Sequence, residues 1–450
     1  MREAEHPLSV RDGRNRDMDR RTVLAGAAAI GASALTAGVV PGGPVASASA
    51  GTSGSWRAGL ARLHEAMAAR VARRELPGIV YLVAHRGLLH VNTIGTLTLD
   101  GHDPMRRSTP FRMASMTKPI IAAATMMLVE EGRLALDEPV DRLLPELANR
   151  RVLTRIDGPL DQTVPAARPI TVEDLLTFRM GHGMIFGPSF QPPYPIITAA
   201  DELQLVMGRP DPGTPHDPDE WIRRYGTLPL MYQPGQRWQY NTGSLVLGVL
   251  IARAAREPLE RLLRKRVFRP LGMNHTGFSL SRADASRLPG LYMTNPQTGQ
   301  LELQPSSRPE EWTRPPAFPS GAGGLASTID DYLAFSRFLL NQGVHHGRRL
   351  LSAESIRLLT TNHLTPQQLA DAGPFPLTGR GWGYGMAVSV TPDEVSQPGR
   401  YGWEGGYGTS WFNDPHRDLT AIAMTQTVDF WSNGVYDEFQ RLAAAVDTPR

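Results

Sequence analysis

A proline at position 119 stands in front of a long apolar run, residues 120–129. Proline fits the first turn of an α-helix, where its missing N–H would have no helical partner, but it breaks a helix interior. The run that follows is apolar enough to be buried in a protein core. The sequence therefore predicts a buried helix that begins at Ser115 or Met116.

The predicted helix start carries a serine and a lysine three residues apart, Ser115 and Lys118. The chain has 47 Lys and Arg residues, but only Lys118 and Lys265 are lysines. Residues i and i+3 share a helix face, so an amine would lie beside a hydroxyl. A buried lysine, unlike arginine, can lose its proton and activate a nucleophile. An incidental pair on a surface helix is the alternative, and the buried run favours the functional interpretation.

Composition excludes several classes of function. Hydrophobic content of 41% and charged content of 20% are globular values, and the scattered basic residues with a net charge of +3 indicate no nucleic-acid partner. The absence of cysteine excludes disulfides, thiolate metal sites and cysteine catalysis. The histidines lack metal-ligand spacing, and the glycine turn at 320–324 lacks a phosphate-loop context, so no metal and no cofactor are expected. No G-x-S-x-G elbow occurs, which argues against an α/β-hydrolase.

The first 50 residues are typical of an export signal and not of a folded domain. A twin arginine at 20–21 precedes an Ala/Gly-rich apolar run at 23–40, and small residues follow at 46–48. This pattern predicts a Tat-type signal that is cleaved near Ser49 or Gly51, with a membrane anchor as the alternative. The predicted location is secreted or cell-envelope, with membrane contact only during export.

Hydrophobic periodicity predicts strands at both ends of the remaining chain and helices between them. A capped helix start is predicted at Thr171 with Asp174 three positions on. The Pro-rich loops at 187–196 and 306–319 are either cleft rims or rigid surface loops. The first of them belongs to a long connection at 181–234, which also contains His182, and this histidine either lines a cleft or is structural. The pattern indicates an α+β fold with an antiparallel sheet, flanking helices and an inserted, mostly helical region. The predicted strands are 79–84, 88–93, 382–390, 400–403, 409–413 and 419–426, and the predicted helices are 57–73, 245–255, 259–268, 328–340 and 434–445.

Five stretches, in order, resemble the superfamily of serine β-lactamases and penicillin-recognising enzymes, and most closely its class C-like branch with the family VIII esterases. They are residues 111–118 (FRMASMTK), 170–177 (ITVEDLLT), 238–240 (WQY), 270–273 (PLGM) and 323–328 (GGLAST). The resemblance covers about residues 57–445 and implies a β-lactamase/transpeptidase-like fold. The catalytic domain would span 51–450, with an α/β part at about 55–125 and 318–450 and an insertion at about 126–317.

The resemblance implies a role for each matching residue. Ser115 would be the acylated nucleophile and Lys118 its proton acceptor. Tyr240, at the position of the family's Y-x-N tyrosine, would carry a proton to the leaving group, and we expect a Lys118 cation to lower its pKa. The backbone N–H groups of Ser115 and Gly406 would form the oxyanion hole. A core tyrosine at 240 is the structural alternative.

Two departures from the family pattern bear on the substrate. Thr242 stands where Y-x-N has asparagine, and Trp403-Glu404-Gly405 stands where many relatives have K-T-G or H-x-G, in a form similar to the W-G-G of some esterases. Trp403, Gly405, Tyr407 and Thr242 are the predicted substrate contacts, although Trp403 could also serve sheet packing alone. Without the lysine that helps to bind a substrate carboxylate, neutral esters are favoured over β-lactams and D-Ala-D-Ala peptides.

The sequence thus predicts an exported serine hydrolase that cleaves ester or amide bonds of small molecules through an acyl-Ser115 intermediate, with a carboxylesterase as the favoured form. Three alternatives stay open. One is a D-stereospecific peptidase, carboxypeptidase or β-lactamase, and another is an acyltransferase. The third is a non-catalytic ligand-binding module on the same fold. The oligomeric state is left open.

Overall fold

The computed structural model describes residues 50–185, 194–208, 214–305, 308–372 and 377–446, with side chains from residue 54 onward. The predicted export signal and parts of the two predicted Pro-rich loops lie outside these described residues. Among the described residues, no helix combines the length and the apolar character that a bilayer crossing requires.

The strands of the largest sheet come from the two ends of the described chain, and most of the helices lie between them. The strands are β1 (Gly78–His85), β2 (Leu88–Gly95), β3 (Phe111–Arg112), β4 (Arg151–Leu153), β5 (Thr163–Pro165), β6 (Tyr292–Thr294), β7 (Leu301–Leu303), β8 (Ala326–Ser327), β9 (Val344–His345), β10 (Arg348–Arg349), β11 (Arg380–Trp382), β12 (Ala387–Ser389), β13 (Tyr401–Gly405), β14 (Thr409–Asp414) and β15 (Leu419–Met424). The helices are α1 (Ala50–Ala72), α2 (Thr117–Glu130), α3 (Val172–Leu176), α4 (Pro195–Glu202), α5 (Pro218–Gly226), α6 (Thr242–Ala255), α7 (Leu259–Leu263), α8 (Arg269–Leu271), α9 (Arg282–Ala285), α10 (Ile329–Leu340), α11 (Ala353–Leu359), α12 (Pro366–Asp371) and α13 (Val435–Ala444).

A seven-stranded sheet joins the two ends of the described chain. Its strand order is β11-β12-β13-β14-β15-β1-β2, and every neighbouring pair is antiparallel. The N-terminal hairpin therefore completes the sheet beside the last strand, with Val80 opposite Met424 and His85 opposite Leu419. The predicted antiparallel sheet with flanking helices and a mostly helical region between its strands is confirmed.

Both faces of the sheet are buried at β1, because its side chains alternate between two hydrophobic clusters. Ile79, Tyr81 and Val83 pack with α1 and α13 on one face. Val80 and Leu82 pack on the other face in the main core, which also takes in the apolar side chains of α2 and α6. The all-buried β1 strand is thus the layer that separates the terminal helices from the helical region.

The predicted buried helix is confirmed. A 3₁₀ turn, Ala114–Met116, leads directly into α2, and Pro119 lies in the first turn of that helix. Every side chain of α2 from Thr117 to Leu128 is buried. The predicted capping box is also present, since the Thr171 hydroxyl accepts from the Asp174 N–H and the Asp174 carboxylate accepts from the Thr171 N–H.

Other parts of the sequence interpretation were wrong. The predicted strand 382–390 is two strands, β11 and β12, because Gly385 adopts a positive φ of 73° in the turn between them. The long connection at 181–234 contains two helices, α4 and α5, each with proline at its start. The stretch at 134–165 contains the β4–β5 pair.

Candidate active site

The segment that carries Ser115 is held between two parts of the chain that are distant in sequence. The Met113 N–H donates to the Leu325 carbonyl at 2.8 Å, and the Thr409 hydroxyl donates to the Met113 carbonyl at 3.2 Å. A Cβ on Gly405 would collide with that same Met113 carbonyl, so only glycine lets β13 approach this closely. The close approach brings β13 beside the Ser115 turn.

The backbone just before Ser115 is strained. Ala114 has a φ of 44°, a left-handed conformation that non-glycine residues rarely adopt and that clusters at functional sites. Neighbouring contacts hold the turn in place: the Tyr332 hydroxyl donates to the Met116 carbonyl at 3.1 Å, and the Leu325 N–H donates to the Thr117 hydroxyl at 3.2 Å. The nucleophile candidate therefore sits on a turn that the surrounding structure fixes.

Lys118 meets Ser115 as predicted. Its Nζ lies 3.0 Å from Ser115 Oγ, donates to the Ala322 carbonyl at 2.6 Å and lies 4.6 Å from the centre of the Tyr240 ring. Only 1% of Lys118 is exposed, and this burial holds the pKa of its amine well below the ordinary value of 10.5. An amine with a lowered pKa can accept the Ser115 proton, as the sequence predicted.

The Ala322 carbonyl is a functional group that the sequence interpretation missed. It belongs to the glycine turn at 320–324, where a Cβ on Gly321 would collide with the Ser244 carbonyl of α6. This close approach to α6 carries Ala322 to the lysine. The glycine-rich stretch is visible in the sequence as a turn, but only the folded structure shows that its Ala322 carbonyl accepts a hydrogen bond from Lys118.

Tyr240 also reaches Ser115. Its hydroxyl forms a hydrogen bond with the Ser115 side chain and accepts another from Trp403 Nε1 at 2.9 Å. The expected lowering of its pKa is wrong: burial raises the pKa of the Tyr240 phenol above 10, although the bonds to Ser115 and Trp403 oppose this shift. The phenol therefore stays protonated near neutral pH, and Lys118, whose pKa is lowered, is the candidate base of the pair.

Trp403 is buried against Tyr240 and does not form an exposed wall of a substrate cleft. It is 1% exposed, and its ring lies 5.5 Å from the Tyr240 ring and 4.7 Å from the Trp382 ring. Phe178 and Trp238 complete the same buried aromatic cluster. The sequence predicted a substrate contact for Trp403, with sheet packing as the alternative. In the structure Trp403 is packed in this cluster, and its indole N–H donates to the Tyr240 oxygen.

The predicted oxyanion donors lie on the two segments that Gly405 brings together. In the described part of the chain, neither the Ser115 N–H nor the Gly406 N–H donates to a backbone acceptor. A Cβ on Gly406 would meet open space, which places this residue on the open side of the site. Tyr407 is 7% exposed and packs against Ala114 and Leu291 beside the nucleophile turn.

Thr242 does not reach the cleft. It is fully buried at the start of α6, and its hydroxyl has no hydrogen-bond partner among the described residues. The predicted substrate contact through its side chain is therefore wrong in this structure. The neighbouring Asn241, at a φ of 86°, donates from Nδ2 to the Met207 carbonyl at 2.6 Å and so ties α6 to the helical region.

His182 is a core residue. It is 1% exposed, and its ring lies edge-on to Tyr225 at 5.3 Å. Burial, together with the nearby Arg150 charge, lowers the pKa of His182 to about 3, so it stays neutral. Within the described ranges, no group of histidine, aspartate and glutamate side chains is arranged to hold a metal ion.

Two side chains, Lys118 and Tyr240, thus meet at the Ser115 side chain, beside the segments that carry the Ser115 and Gly406 N–H groups. A neutral amine can take the hydroxyl proton, a protonated phenol can give one, and N–H donors can face a developing oxyanion. These are the parts that an acyl transfer to serine needs.

Known proteins are similar to this chain over most of its length. A family model described as Beta-lactamase matches residues 63–445. An uncharacterized protein of Mycobacterium tuberculosis is 41% identical over 362 residues, which is 78% of this chain and 86% of that protein. The esterase EstB of Burkholderia gladioli is 30% identical over 393 residues, covering 82% of this chain and 90% of the relative.

A solved structure shares the same fold. EstCE1, described as a hydrolase with promiscuous acyltransferase activity, superposes with a TM-score of 0.71 at 24% identity, covering 87% of this chain and 99% of that chain. The predicted β-lactamase/transpeptidase-like fold is confirmed by this match and by the family model.

Proposed function

The chain belongs to the beta-lactamase family and is a serine hydrolase of that fold, and from this premise we propose that it is a carboxylesterase acting through an acyl-Ser115 intermediate. One observation carries the proposal. Lys118 Nζ and the Tyr240 hydroxyl both contact the Ser115 side chain, and Trp403 stands where the family resemblance leads one to expect the lysine or histidine of K-T-G or H-x-G.

The first half of the reaction acylates the serine. The neutral Lys118 amine takes the Ser115 proton as Oγ attacks the ester carbonyl, and the ammonium that forms is stabilised by the Ala322 carbonyl and the Tyr240 ring face. The oxyanion faces the N–H groups of Ser115 and Gly406. Tyr240 protonates the departing alkoxide, and the Lys118 ammonium returns a proton to the phenolate. An alcohol leaves, and the acyl group stays on Ser115.

The second half releases the acid. Water takes the place of the alcohol, gives a proton to the neutral Lys118 as it attacks the acyl carbonyl, and the proton then returns to Ser115 Oγ as the ester bond breaks. The products are a carboxylic acid and the original serine. An alcohol that takes the place of water would give an acyl transfer by the same steps.

The surroundings of the nucleophile favour an uncharged substrate. A lysine at position 403 would offer a cation to a substrate carboxylate, but Trp403 offers an indole whose N–H is already used by Tyr240. The guanidinium of Arg380, on β11, lies over the Trp403 ring at 5.3 Å and is already paired with Glu404. The relative EstB, described as an esterase, supports the same class of substrate.

A substrate panel tests the proposal. We expect p-nitrophenyl butyrate to be hydrolysed with a kcat/KM at least about a hundredfold above that for a D-alanine p-nitroanilide or a chromogenic cephalosporin, within the range of 10⁴–10⁸ M⁻¹s⁻¹ for typical enzymes. Faster turnover of the D-anilide or the cephalosporin would replace the esterase with a peptidase or a β-lactamase. No turnover of any of the three would favour a binding module.

We also propose that the protein is exported through the twin-arginine route. The support is the sequence pattern at 20–48 alone. N-terminal sequencing of protein from the medium of an expressing culture should start near Ser49 or Gly51. Protein that starts at Met1, or that is retained in the cytoplasm, would contradict cleavage and export.

A further inference from the structure

Gln426, a fully buried residue just after β15, bonds to both segments that carry the predicted oxyanion donors. Its Oε1 accepts from the Arg112 N–H at 3.1 Å and from the Arg112 guanidinium at 3.2 Å. Its Nε2 donates to the Tyr407 carbonyl at 3.3 Å. Arg112 ends β3 three residues before Ser115, and Tyr407 directly follows Gly406. One side chain thus bridges the segment of the nucleophile and the segment of the second donor.

The amide of Gln426 has a single orientation in this bridge. Both groups that face Oε1 are donors, since a backbone N–H and a guanidinium only donate. The groups that face Nε2 are all carbonyls, those of Arg112 at 3.4 Å and Thr425 at 2.6 Å in addition to that of Tyr407. A flipped amide would set its oxygen against three carbonyl oxygens and leave them without a donor. The oxygen of the amide therefore holds β3, and its nitrogen holds the Tyr407 segment.

Arg112 anchors the bridge on the side of the nucleophile. Its side chain is 2% exposed, and its guanidinium also donates to the Pro289 carbonyl at 2.8 Å. The guanidinium carbon lies 5.9 Å from the centre of the Trp312 ring. These contacts fix the guanidinium, so Gln426 is tied to β3 through both the backbone and the side chain of Arg112.

The turn that presents the Gly406 N–H is held by the same end of β15. The Gly408 N–H donates to the Gly405 carbonyl at 2.9 Å, and Gly408 has a φ of 88°, as in three-residue hairpin loops that end on a left-handed residue. The Gly408 carbonyl accepts from the Thr425 N–H and from the Thr425 hydroxyl, both at 2.8 Å. Thr425 and Gln426 therefore hold the two carbonyls that follow Gly406 in this turn.

We propose that Gln426, anchored by Arg112, is a positioning residue of the oxyanion hole and sets the alignment of the Ser115 N–H with the Gly406 N–H. The inference rests on the proposed acyl-Ser115 chemistry. Oxyanion donors stabilise a transition state only when they lie about 2.7–3.1 Å from the place that the oxyanion will occupy. A displacement of about 1 Å in a catalytic arrangement can cost about 10² in rate. Gln426 acts through the two segments that it joins.

The variant Gln426→Glu tests the proposal with almost no change of shape. The new carboxylate keeps an acceptor for Arg112, whose positive charge keeps it ionised, but it loses the donor to Tyr407. We expect kcat with p-nitrophenyl butyrate to fall by about tenfold to a hundredfold with little change in KM, because oxyanion donors act on the transition state more than on the bound substrate. Butylboronic acid forms a tetrahedral anionic adduct with a nucleophilic serine, and its inhibition constant should rise by a similar factor.

The inhibition constant separates positioning from a loss of folded protein. A smaller folded fraction lowers the apparent kcat but leaves the inhibition constant of the remaining enzyme unchanged. The matched control is Gln440→Glu, the same change at a buried glutamine of α13 that accepts from Arg400, and it should keep both constants at their wild-type values. If Gln426→Glu does not fold, Gln426→Met, an uncharged side chain of similar length, also removes the donor to Tyr407 and gives the same test.

Three results would overturn the inference. The first is a folded Gln426→Glu or Gln426→Met protein with wild-type kcat and a wild-type inhibition constant for butylboronic acid. The second is a lower kcat with an unchanged inhibition constant, since the loss would then be one of folded protein. The third is an absence of ester turnover in the wild type, which would overturn the proposed function and this inference with it. An active wild type beside an unaffected Gln426 variant would overturn the inference alone.

Discussion

At the scale of single residues, the chemistry depends on the protonation state of one lysine. Ser115 and Lys118 were predicted from their spacing and from Pro119, since both are local features of the sequence. The partners that complete the site come from distant segments, namely the Ala322 carbonyl and the Trp403 indole. The direction of the Tyr240 pKa shift was mispredicted because sequence shows a neighbouring cation but does not show how deeply the phenol is buried.

Replacing Lys118 with arginine should abolish turnover, although a long basic side chain is kept at this position. Arginine cannot give up its proton, so Ser115 would lose its base, and general-base catalysis contributes about 10²–10⁴-fold to rate. The measurement is kcat with p-nitrophenyl butyrate. The matched control is Lys265→Arg, the same change at the only other lysine, whose side chain is 62% exposed. A Lys118→Arg enzyme with wild-type kcat would refute the base assignment.

The kcat/KM of hydrolysis should rise with pH and should not fall again on the alkaline side up to pH 10. Burial lowers the pKa of Lys118, so activity is lost as pH falls through that lowered pKa and the amine becomes protonated. Burial raises the pKa of Tyr240, so its proton stays in place on the alkaline side up to pH 10. The measurement is kcat/KM between pH 5 and 10. A value of kcat/KM that is still rising steeply at pH 10, as the ordinary lysine value of 10.5 would require, would contradict the role of burial.

At the scale of elements, predictions succeeded where a local signal decides the structure. The capping box at Thr171 and the proline in the first turn of α2 are such signals, and both elements were found. The strand predicted at 382–390 failed because a turn at Gly385 interrupts a run that is apolar throughout. Helices α4 and α5 were missed because both are short and begin with proline, in a stretch whose composition resembles loop.

The close approach of β13 to the Ser115 turn should depend on Gly405 and not on the neighbouring Gly406. In Gly405→Ala the new Cβ would collide with the Met113 carbonyl, whereas in Gly406→Ala it would meet open space. We expect Gly405→Ala to lower the free energy of unfolding by about 1–3 kcal/mol or more, as overpacking does, and to reduce kcat. Gly406→Ala, the matched control, should change stability by less than about 0.5 kcal/mol. Chemical denaturation measures both, and equal stability of the two variants would show that β13 tolerates a Cβ at 405.

At the scale of the whole molecule, the class of fold followed from strands at both ends and helices between them. The strand order did not, because the pairing of β1 with β15 joins residues more than three hundred positions apart. The cluster formed by α1, α13 and one face of β1 is a second hydrophobic layer, and a sequence pattern does not show that the two terminal helices share it. The bridge that Gln426 forms between β3 and the turn after β13 is likewise a product of this long-range packing.

This second layer should support stability without taking part in catalysis. Phe439 is fully buried in it and packs edge-on to Tyr81 at 6.2 Å, so Phe439→Ala should lower the free energy of unfolding by about 3–5 kcal/mol. Because this cluster lies on the face of the sheet opposite the main core, kcat/KM of the folded variant should stay near wild type. The control is Leu303→Ala, at a side chain that is 57% exposed, with little expected change. A large loss of kcat/KM in folded Phe439→Ala would show that the two faces are coupled.

The central claim is a covalent acyl group on Ser115, and intact-mass spectrometry after mixing with p-nitrophenyl butyrate tests it most directly. In wild type we predict a transient mass increase of one butyryl group, which peptide mapping assigns to Ser115. The adduct should be absent in Ser115→Ala and present in Ser432→Ala, a matched change at an exposed serine. An adduct of equal yield in Ser115→Ala, or hydrolysis at the wild-type rate in that variant, would contradict the account.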